Sequence, residues 1–172
     1  MVVITTKGNP LGIRQVSDLA KPEVKFIRVT GEKDLATKRT EEFLSRAAAL
    51  EGTPDVVPKI IGRAVADPAK PVSVPDTVRA VSEGTANASV VYYSVALAAR
   101  NALEIIRFPA NVNLSDTIRN AASVPGTAKN PKEATDFIQF LMTPQAQGIL
   151  KETGQPPVVP AIRKGDVPAT LN

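Results

Sequence analysis

The residues best suited to chemistry are hydrogen-bond donors in GEKDLATKRT (31–40), which lies between a strand pattern and a helix pattern. The hydroxyls of Thr37 and Thr40 and the backbone N–H groups around Ala36–Lys38 are the candidates. An anion with several oxygens needs donors that converge on it, and the first N–H groups of a helix have no partner inside the helix. The stretch is therefore a candidate anion site.

The same stretch also has a purely structural interpretation. Asp34 and Thr37 are favoured residue types at a helix N-cap, where a side-chain oxygen accepts from a backbone N–H group. Lys38 and Arg39 can equally be solvated surface charges. Both interpretations stay open from the residues alone.

The protein's only two tyrosines, Tyr92 and Tyr93, are adjacent in ASVVYYSVALAA (88–99), where a buried apolar run ends. Successive residues of a strand point to opposite faces, so the pair can simply pack at the edge of the core with a hydroxyl on a carbonyl. The alternative is that one hydroxyl is aimed at a ligand from the end of the strand.

The composition excludes several kinds of site. The 172 residues include no cysteine and no histidine, which removes thiol nucleophiles, thiolate and imidazole metal ligands, and the commonest general base. A Ser–Lys or two-carboxylate enzyme would need a local motif, and none is present. The formal net charge of +4 is dispersed and lacks interleaved aromatic residues, so nucleic acid is not indicated, whereas a small anion suits the charge. The chain is therefore interpreted as a binding protein rather than an enzyme.

Strand and helix patterns alternate along the chain, which predicts an α/β fold. Strands are predicted at VVITT (2–6), VKFIRV (24–29), 56–61, 88–93 and 103–109. Helices are predicted at 17–20, within 30–52, at 77–84 after an N-cap at Asp76, at 94–99, at 131–141 after Asn130 with a capping-box Glu133, and at 144–153. No run approaches the roughly 20 apolar residues of a membrane helix, and no signal-peptide pattern precedes VVITT.

Several stretches, taken in order, resemble molybdate- and tungstate-binding proteins of ABC importers. VVITTKGNPLGIRQVSDLAKPEVKF (2–26) is similar to the segment where the chain enters the second lobe in that family. EGTANASVVYYSVALAA (83–99) resembles a segment in which an apolar strand leads to a tyrosine and a serine. The stretches 103–116, 129–154 and 155–161 are similar to the tungstate/molybdate branch known from archaea.

The resemblance implies a type II periplasmic-binding-protein fold, in which two α/β lobes hold an oxyanion between them. We expect residues 1–115 to form the second-lobe α/β domain, with a mixed sheet flanked by helices. Residues 116–172 are expected to form a C-terminal helical return segment that belongs to the first lobe. The N-terminal part of that first lobe has no counterpart in the chain, so the first lobe is expected to be incomplete.

The resemblance transfers the family's ligand-binding loop only in part. Asp34 matches an aspartate of the tungstate-type proteins, but Leu35, Thr37 and Lys38 replace the proline, glycine and tyrosine that follow it there. The second carboxylate of those proteins corresponds to Val91, so their two-carboxylate arrangement cannot form here.

The strand-end segment transfers more completely. Tyr92 matches the tyrosine whose hydroxyl donates to the ligand, Tyr93 occupies a variable position, and Ser94 matches a serine that begins the next helix. No catalytic residue and no metal-binding residue is predicted. The predicted ligand-binding residues are Tyr92, Ser94, Asp34, Ala36, Thr37 and Lys38.

The implied function is capture of a tetrahedral oxyanion, molybdate or tungstate with sulfate also fitting, and delivery to the membrane subunit of an ABC importer. The implied location is periplasmic or extracytoplasmic, with no cofactor. A hypothesis of a different class is a truncated or repurposed lobe that acts as an interaction or regulatory module without transport. The same fold serves as the effector domain of LysR-type regulators, although no helix-turn-helix segment precedes VVITT.

An apolar stripe near the C-terminus predicts self-association. Phe137, Ile138 and Leu141, with Ile149 and Leu150 behind them, match positions that pack on first-lobe strands in the family. A large bare apolar patch is uncommon on a soluble monomer, so we expect a second copy to cover it in a two-fold homodimer. The alternative is that these helices fold back onto the strands of the single lobe.

Overall fold

The computed structural model describes residues 1–31, 34–65, 71–157, 159–167 and 171. The chain divides into two compact units, Met1–Ile118 and Arg119–Asn172, which are treated separately here. The first unit contains strands β1 (Val2–Thr6), β2 (Ala88–Val91) and β3 (Leu103–Ile106), a 3-10 helix (Val16–Ala20), and helices α1 (Leu35–Leu50), α2 (Val56–Arg63), α3 (Val74–Ser82) and α4 (Tyr93–Ala98). The second unit contains helices α5 (Pro131–Leu141) and α6 (Pro144–Glu152).

The middle strand of the sheet is β1, which pairs antiparallel with β2 on one side and with β3 on the other. In the register, Val3 lies opposite Val90 of β2 and Ile106 of β3. The first four residues of the chain are buried, as expected for a strand that is covered on both faces. Because side chains alternate along a strand, β1 contributes to two separate apolar layers.

One layer packs on the face of the sheet to which Val3 and Val90 contribute. There α1 buries Phe43 and Leu44, which belong to the same cluster as Phe26. Phe43 also makes an edge-to-face contact with Phe108, with ring centroids 5.0 Å apart. The opposite layer joins Val2 and Ile4 of β1 to side chains of α3 and α4, including Val81 and Ala96. Helices therefore flank both faces of the sheet, and the predicted α/β fold class is confirmed.

The predicted strand at 24–29 is wrong in extent. Only isolated bridges form there: Phe26 pairs with Ala88 and Ile27 with Val65, both parallel. The segment forms one bridge to β2 on one side and one bridge to the residues after α2 on the other. The segment is therefore extended without being a regular strand, and its parallel direction makes the pairing mixed.

The predicted strand at 56–61 is also wrong, because α2 occupies these residues. Ile60 is buried, and Val56, Val57 and Ile61 pack against the same core cluster. This spacing follows the period of a helix, and Pro58 is tolerated because it lies in the first helical turn. The β-branched residue types suggested a strand, but the apolar spacing determined the structure.

The N-cap of α3 is Ser73, not Asp76 as predicted. The Ser73 hydroxyl accepts from the Asp76 N–H group at 3.3 Å, and the Asp76 carboxylate accepts from the Ser73 N–H group at 3.0 Å. This reciprocal pair is a capping box, in which an acidic residue three positions into the helix supports the cap. The N-cap of α3 therefore lies three residues before the aspartate that was predicted to be the cap.

In the second unit, α5 and α6 begin at Pro131 and Pro144, as predicted. Asn130 makes no side-chain capping hydrogen bond, whereas Thr143 accepts from the Ala146 N–H group at 3.3 Å. None of the residues of α5 is buried. The exposed large apolar side chains of these helices and the turn between them are Phe137, Phe140, Met142 and Ile149. Among the described residues, no helix is long and apolar enough to cross a membrane.

Candidate functional site

The fold brings the two sequence-predicted stretches to the same edge of the first unit. The Ile27 N–H group donates to the Ala88 carbonyl at 3.0 Å, so the segment that leads to α1 runs beside β2 in the same direction. The Thr37 hydroxyl in the first turn of α1 donates to the Val29 carbonyl at 3.3 Å. The start of α1 and the end of β2, where Tyr92 lies, are consequently neighbours.

Two of the predicted donors already have partners within the chain. The Asp34 carboxylate caps α1 by accepting from the Ala36 N–H group at 2.7 Å. The Thr37 hydroxyl proton is used on the Val29 carbonyl. The structural interpretation of these residues is therefore realised, and an anion would have to displace Asp34 to use the Ala36 donor.

Other donors at the start of α1 have different surroundings. Lys38 is exposed. The Thr40 side chain is fully buried, and its hydroxyl oxygen has no hydrogen-bond partner among the described residues. The stretch thus places one solvated charge and one buried hydroxyl within three positions of Thr37.

Tyr92 and Tyr93 pack on opposite sides of the sheet. Tyr92 is the N-cap residue of α4, is half-buried, and packs against the cluster that contains Phe43 of α1. Tyr93 packs in the opposite cluster, with the Arg107 guanidinium 4.7 Å from its ring centroid. Only Tyr92 therefore lies on the side of the sheet where α1 lies.

The charges that act on the Tyr92 hydroxyl show which residues lie near it. Burial raises the pKa of the Tyr92 hydroxyl above its usual value, the positive charge of Arg39 lowers it, and the negative charge of Asp34 raises it. Asp34 caps α1 and Arg39 lies near its start, and both charges act on the hydroxyl. A protonated phenol at this position is a hydrogen-bond donor at neutral pH.

Arg39, for which the sequence leaves a solvated surface charge open, is mostly buried in the structure. Its side chain is only 26% exposed, and its Nη1 contacts Glu42 Oε2 at 2.6 Å. Its Nε is buried and has no hydrogen-bond partner among the described residues. A sequence signal was present, because RTEEFLSR places Arg39, Glu42 and Arg46 at spacings that share one helix face.

Ser94 and Val91 flank Tyr92 in the chain. Ser94 is the second residue of α4 and is half-buried. Val91 is a buried residue of the cluster opposite to that of Tyr92. Among the described residues, no group of three acidic side chains could hold a metal ion.

A separate depression of about 250 Å³ lies beside α3. It is lined by Val72, Ala80 and Glu83, and by the ion pair between Arg79 and Asp76, whose atoms are 2.6 Å apart. We favour the end of β2 beside the start of α1 as the candidate site, because the half-buried Tyr92 hydroxyl lies there together with the buried Arg39 Nε, which has no hydrogen-bond partner among the described residues.

Comparison with known proteins gives a family match and two curated relatives. Residues 1–155 match the sequence profile of a family described as bacterial extracellular solute-binding protein. An uncharacterised solute-binding protein from Methanoculleus marisnigri is 26% identical, over 95% of this chain and 50% of its own length. A sulfate-binding protein from Synechococcus elongatus is 22% identical, over 93% of this chain and 47% of its own length. The chain thus spans about half the length of the curated relatives that it matches.

Several solved structures have a fold similar to that of this chain. The sulfate-binding protein SubI from Mycobacterium tuberculosis has a TM-score of 0.66 at 18% identity, covering 92% of this chain and 56% of its own. A structure described as the substrate-binding domain of a molybdenum ABC transporter, from Clostridium difficile, has a TM-score of 0.60 at 20% identity, covering 89% and 61%. The similarity shows the fold that the sequence predicted, that of periplasmic solute-binding proteins.

Proposed function

Because the chain belongs to the bacterial extracellular solute-binding protein family, we propose that it binds a small tetrahedral oxyanion, molybdate, tungstate or sulfate, for import by an ABC transporter. One observation carries the proposal: the half-buried Tyr92 hydroxyl lies within the electrostatic reach of Arg39, whose Nε is buried without a described partner. A phenol and a guanidinium close to each other can offer neutral and charge-assisted hydrogen bonds to the same anion.

The relatives support the chemical class of the ligand. One curated relative is named as a sulfate-binding protein, and one similar structure is described as part of a molybdenum transporter. The first name refers to binding of sulfate and the second to transport of molybdenum, whose oxyanion molybdate shares tetrahedral geometry and a double negative charge with sulfate. We propose an extracytoplasmic location, delivery to a membrane subunit, and no enzymatic activity, since the relatives are solute-binding proteins.

Thermal unfolding with added anions tests the proposal. A ligand that binds only the folded state raises the free energy of unfolding by RT ln(1 + [L]/Kd), which raises the unfolding midpoint. We expect tungstate, molybdate or sulfate to raise the midpoint, with phosphate as a tetrahedral comparison. If none of the four anions raises it, oxyanion binding by this chain is contradicted, and the interaction or regulatory module becomes the better hypothesis.

Substitution of the two adjacent tyrosines locates the site. Tyr92→Phe removes one hydroxyl donor, and we expect the anion affinity measured by calorimetry to fall by about tenfold, as for a hydrogen bond to a charged group. Tyr93→Phe is the matched control, because Tyr93 packs on the other side of the sheet. Equal effects of the two substitutions would place the anion elsewhere.

A further inference from the structure

Three charged residues on one face of α1 form a continuous ion-pair network. Arg39 Nη1 contacts one oxygen of the Glu42 carboxylate at 2.6 Å, and Arg46 Nη2 contacts the other oxygen at 2.9 Å. Arg46 also reaches the Asp116 carboxylate through Nη1, at 3.0 Å and 3.1 Å. Glu42 is therefore held between two guanidinium groups, and each of its oxygens has a different partner.

Arg39 and Arg46 differ in the partners of their guanidinium groups. Arg46 is shared between two carboxylates. Arg39 forms an ion pair with Glu42, and its buried Nε donor is left unpaired among the described residues. A buried donor without a partner is unfavourable, and a hydrogen-bond acceptor that reaches it removes the penalty. The network thus has unused donor capacity at Arg39, near Tyr92.

Glu42 can lose Arg39 without becoming an unpaired charge. Its contact with Arg46 remains, and Arg46 is anchored to Asp116 from another part of the unit. Breaking a partly buried ion pair is unfavourable mainly when the partner is left alone. Exchange of one partner at Arg39 is therefore easier than it would be for an isolated pair.

We propose that Arg39 recognises the charge of the bound anion, and that the anion replaces Glu42 as the partner of Arg39 while Arg46 keeps Glu42 paired. This inference rests on the proposed oxyanion site at Tyr92 and deepens it by assigning the preference for double negative charge to one residue. Asp34, whose charge also acts on Tyr92, is negative and opposes anion binding. Arg39 must overcome this repulsion, which is larger for a dianion.

Tungstate and perrhenate separate charge from shape. Both are tetrahedral oxyanions of nearly equal size, but tungstate carries two negative charges and perrhenate carries one. We expect wild-type protein to bind tungstate more tightly in calorimetry. Arg39→Gln should weaken tungstate binding by about tenfold to a hundredfold and perrhenate binding by less, which removes most of the preference. Arg39→Lys keeps the charge and should retain the preference.

Arg79→Gln is the matched control for the arginine. Arg79 also pairs with a carboxylate three residues away at 2.6 Å, but it lies on α3 beside the depression of about 250 Å³. We expect this variant to bind both anions as the wild type does. If Arg39→Gln keeps the full preference for tungstate, or if Arg79→Gln removes it, the assignment to Arg39 is overturned.

Glu42→Gln tests the exchange itself. Removing the competing carboxylate should raise tungstate affinity severalfold, whereas Glu41→Gln, which breaks the neighbouring Arg28 pair of 3.0 Å, should not. Weaker tungstate binding by Glu42→Gln, with an unchanged unfolding midpoint, would overturn the exchange. A wild-type protein that binds neither anion would instead contradict the proposed function, so the two failures are distinguishable.

Discussion

Tyr92 and Tyr93 are consecutive in the chain, yet their side chains belong to different apolar clusters on the two sides of the sheet. The backbone of Tyr92 is still extended, and α4 begins at Tyr93. The last extended residue thus packs its side chain on the α1 side of the sheet, and the ring of the first helical residue contacts the Arg107 guanidinium. Tyr92 is therefore the candidate ligand donor, and the adjacent Tyr93 is its matched control.

The Tyr92 hydroxyl predicts a specific alkaline behaviour. Because its pKa is raised in the folded state, chiefly by burial, the folded chain holds this proton more tightly than the unfolded chain does. The associated stability is fully present below the unfolded pKa of about 10 and is lost as the pH rises through the folded pKa. A tyrosinate absorbance titration should show a late component that Tyr92→Phe removes and Tyr93→Phe retains.

Glu51 joins the end of α1 to the 3-10 helix. Its carboxylate accepts from the Val16 N–H group at 2.7 Å and from the Ser17 N–H group at 2.9 Å. Glu51→Ala leaves these donors without that acceptor, and we expect a loss of about 1–3 kcal/mol in the free energy of unfolding, measured by urea denaturation. Glu83→Ala is the matched control, because Glu83 also ends a helix but is exposed. Similar losses in both variants would contradict the role of Glu51.

Asp18 predicts the acid dependence of stability. Burial, the largest single influence, raises its pKa, but hydrogen bonds from Lys21 and from the Arg14 and Gln15 N–H groups together hold it below the usual value. The stability is present above the unfolded pKa of about 3.9 and is lost as the pH falls through the folded pKa. Asp18→Asn should flatten this acid loss in denaturation curves, whereas the exposed Asp55→Asn should leave the loss unchanged.

The apolar side chains of α5 and α6 remain predicted to contact a second copy of the chain. Phe137 is 58% exposed and stacks on Phe140, with ring centroids 6.4 Å apart. We expect Phe137→Asp to weaken self-association, measured by light scattering, while the unfolding midpoint changes little, because the side chain is not core. A wild-type protein that is monomeric at high micromolar concentration would rule out the dimer.

The coordination of a bound metal oxyanion is predicted to stay tetrahedral. Val91, which takes the place of a carboxylate in the tungstate-type proteins that the sequence resembles, is buried and apolar. Without that carboxylate the metal lacks a protein oxygen that would extend its coordination. X-ray absorption at the tungsten edge should detect four oxygen neighbours, and six would contradict the prediction.

The parts of the fold that were predicted from sequence are those with redundant local signals. Helices α5 and α6 each begin with a proline at the first helical position, and the helix that starts after Asp34 has both a cap residue and a long apolar stripe. The strand predicted at 56–61 is wrong because its β-branched residues indicate a strand while their spacing indicates a helix. The strand predicted at 24–29 is wrong in extent because its pairing depends on distant residues near Ala88 and Val65.

The candidate site was predictable only in part for the same physical reason. Tyr92 stands out by residue type, and Asp34 by its cap position. Arg39 is a candidate ligand-binding residue because its Nε has no hydrogen-bond partner among the described residues and because it lies near Tyr92. Both properties depend on how α1 packs beside β2. Local spacing reveals the pairing of Arg39 with Glu42, but it cannot reveal a donor that the pairing leaves unused.

The central position of β1 sets the order in which the first unit can assemble during synthesis. Val2 pairs with Val91 and Thr6 pairs with Leu103, so β1 has no partner strand until nearly the whole unit has been synthesised. Closing such long loops is entropically costly and slows folding. Until then VVITT is an unpaired apolar strand with the composition of an aggregation-prone segment, and a chaperone that holds it should raise the yield of folded protein.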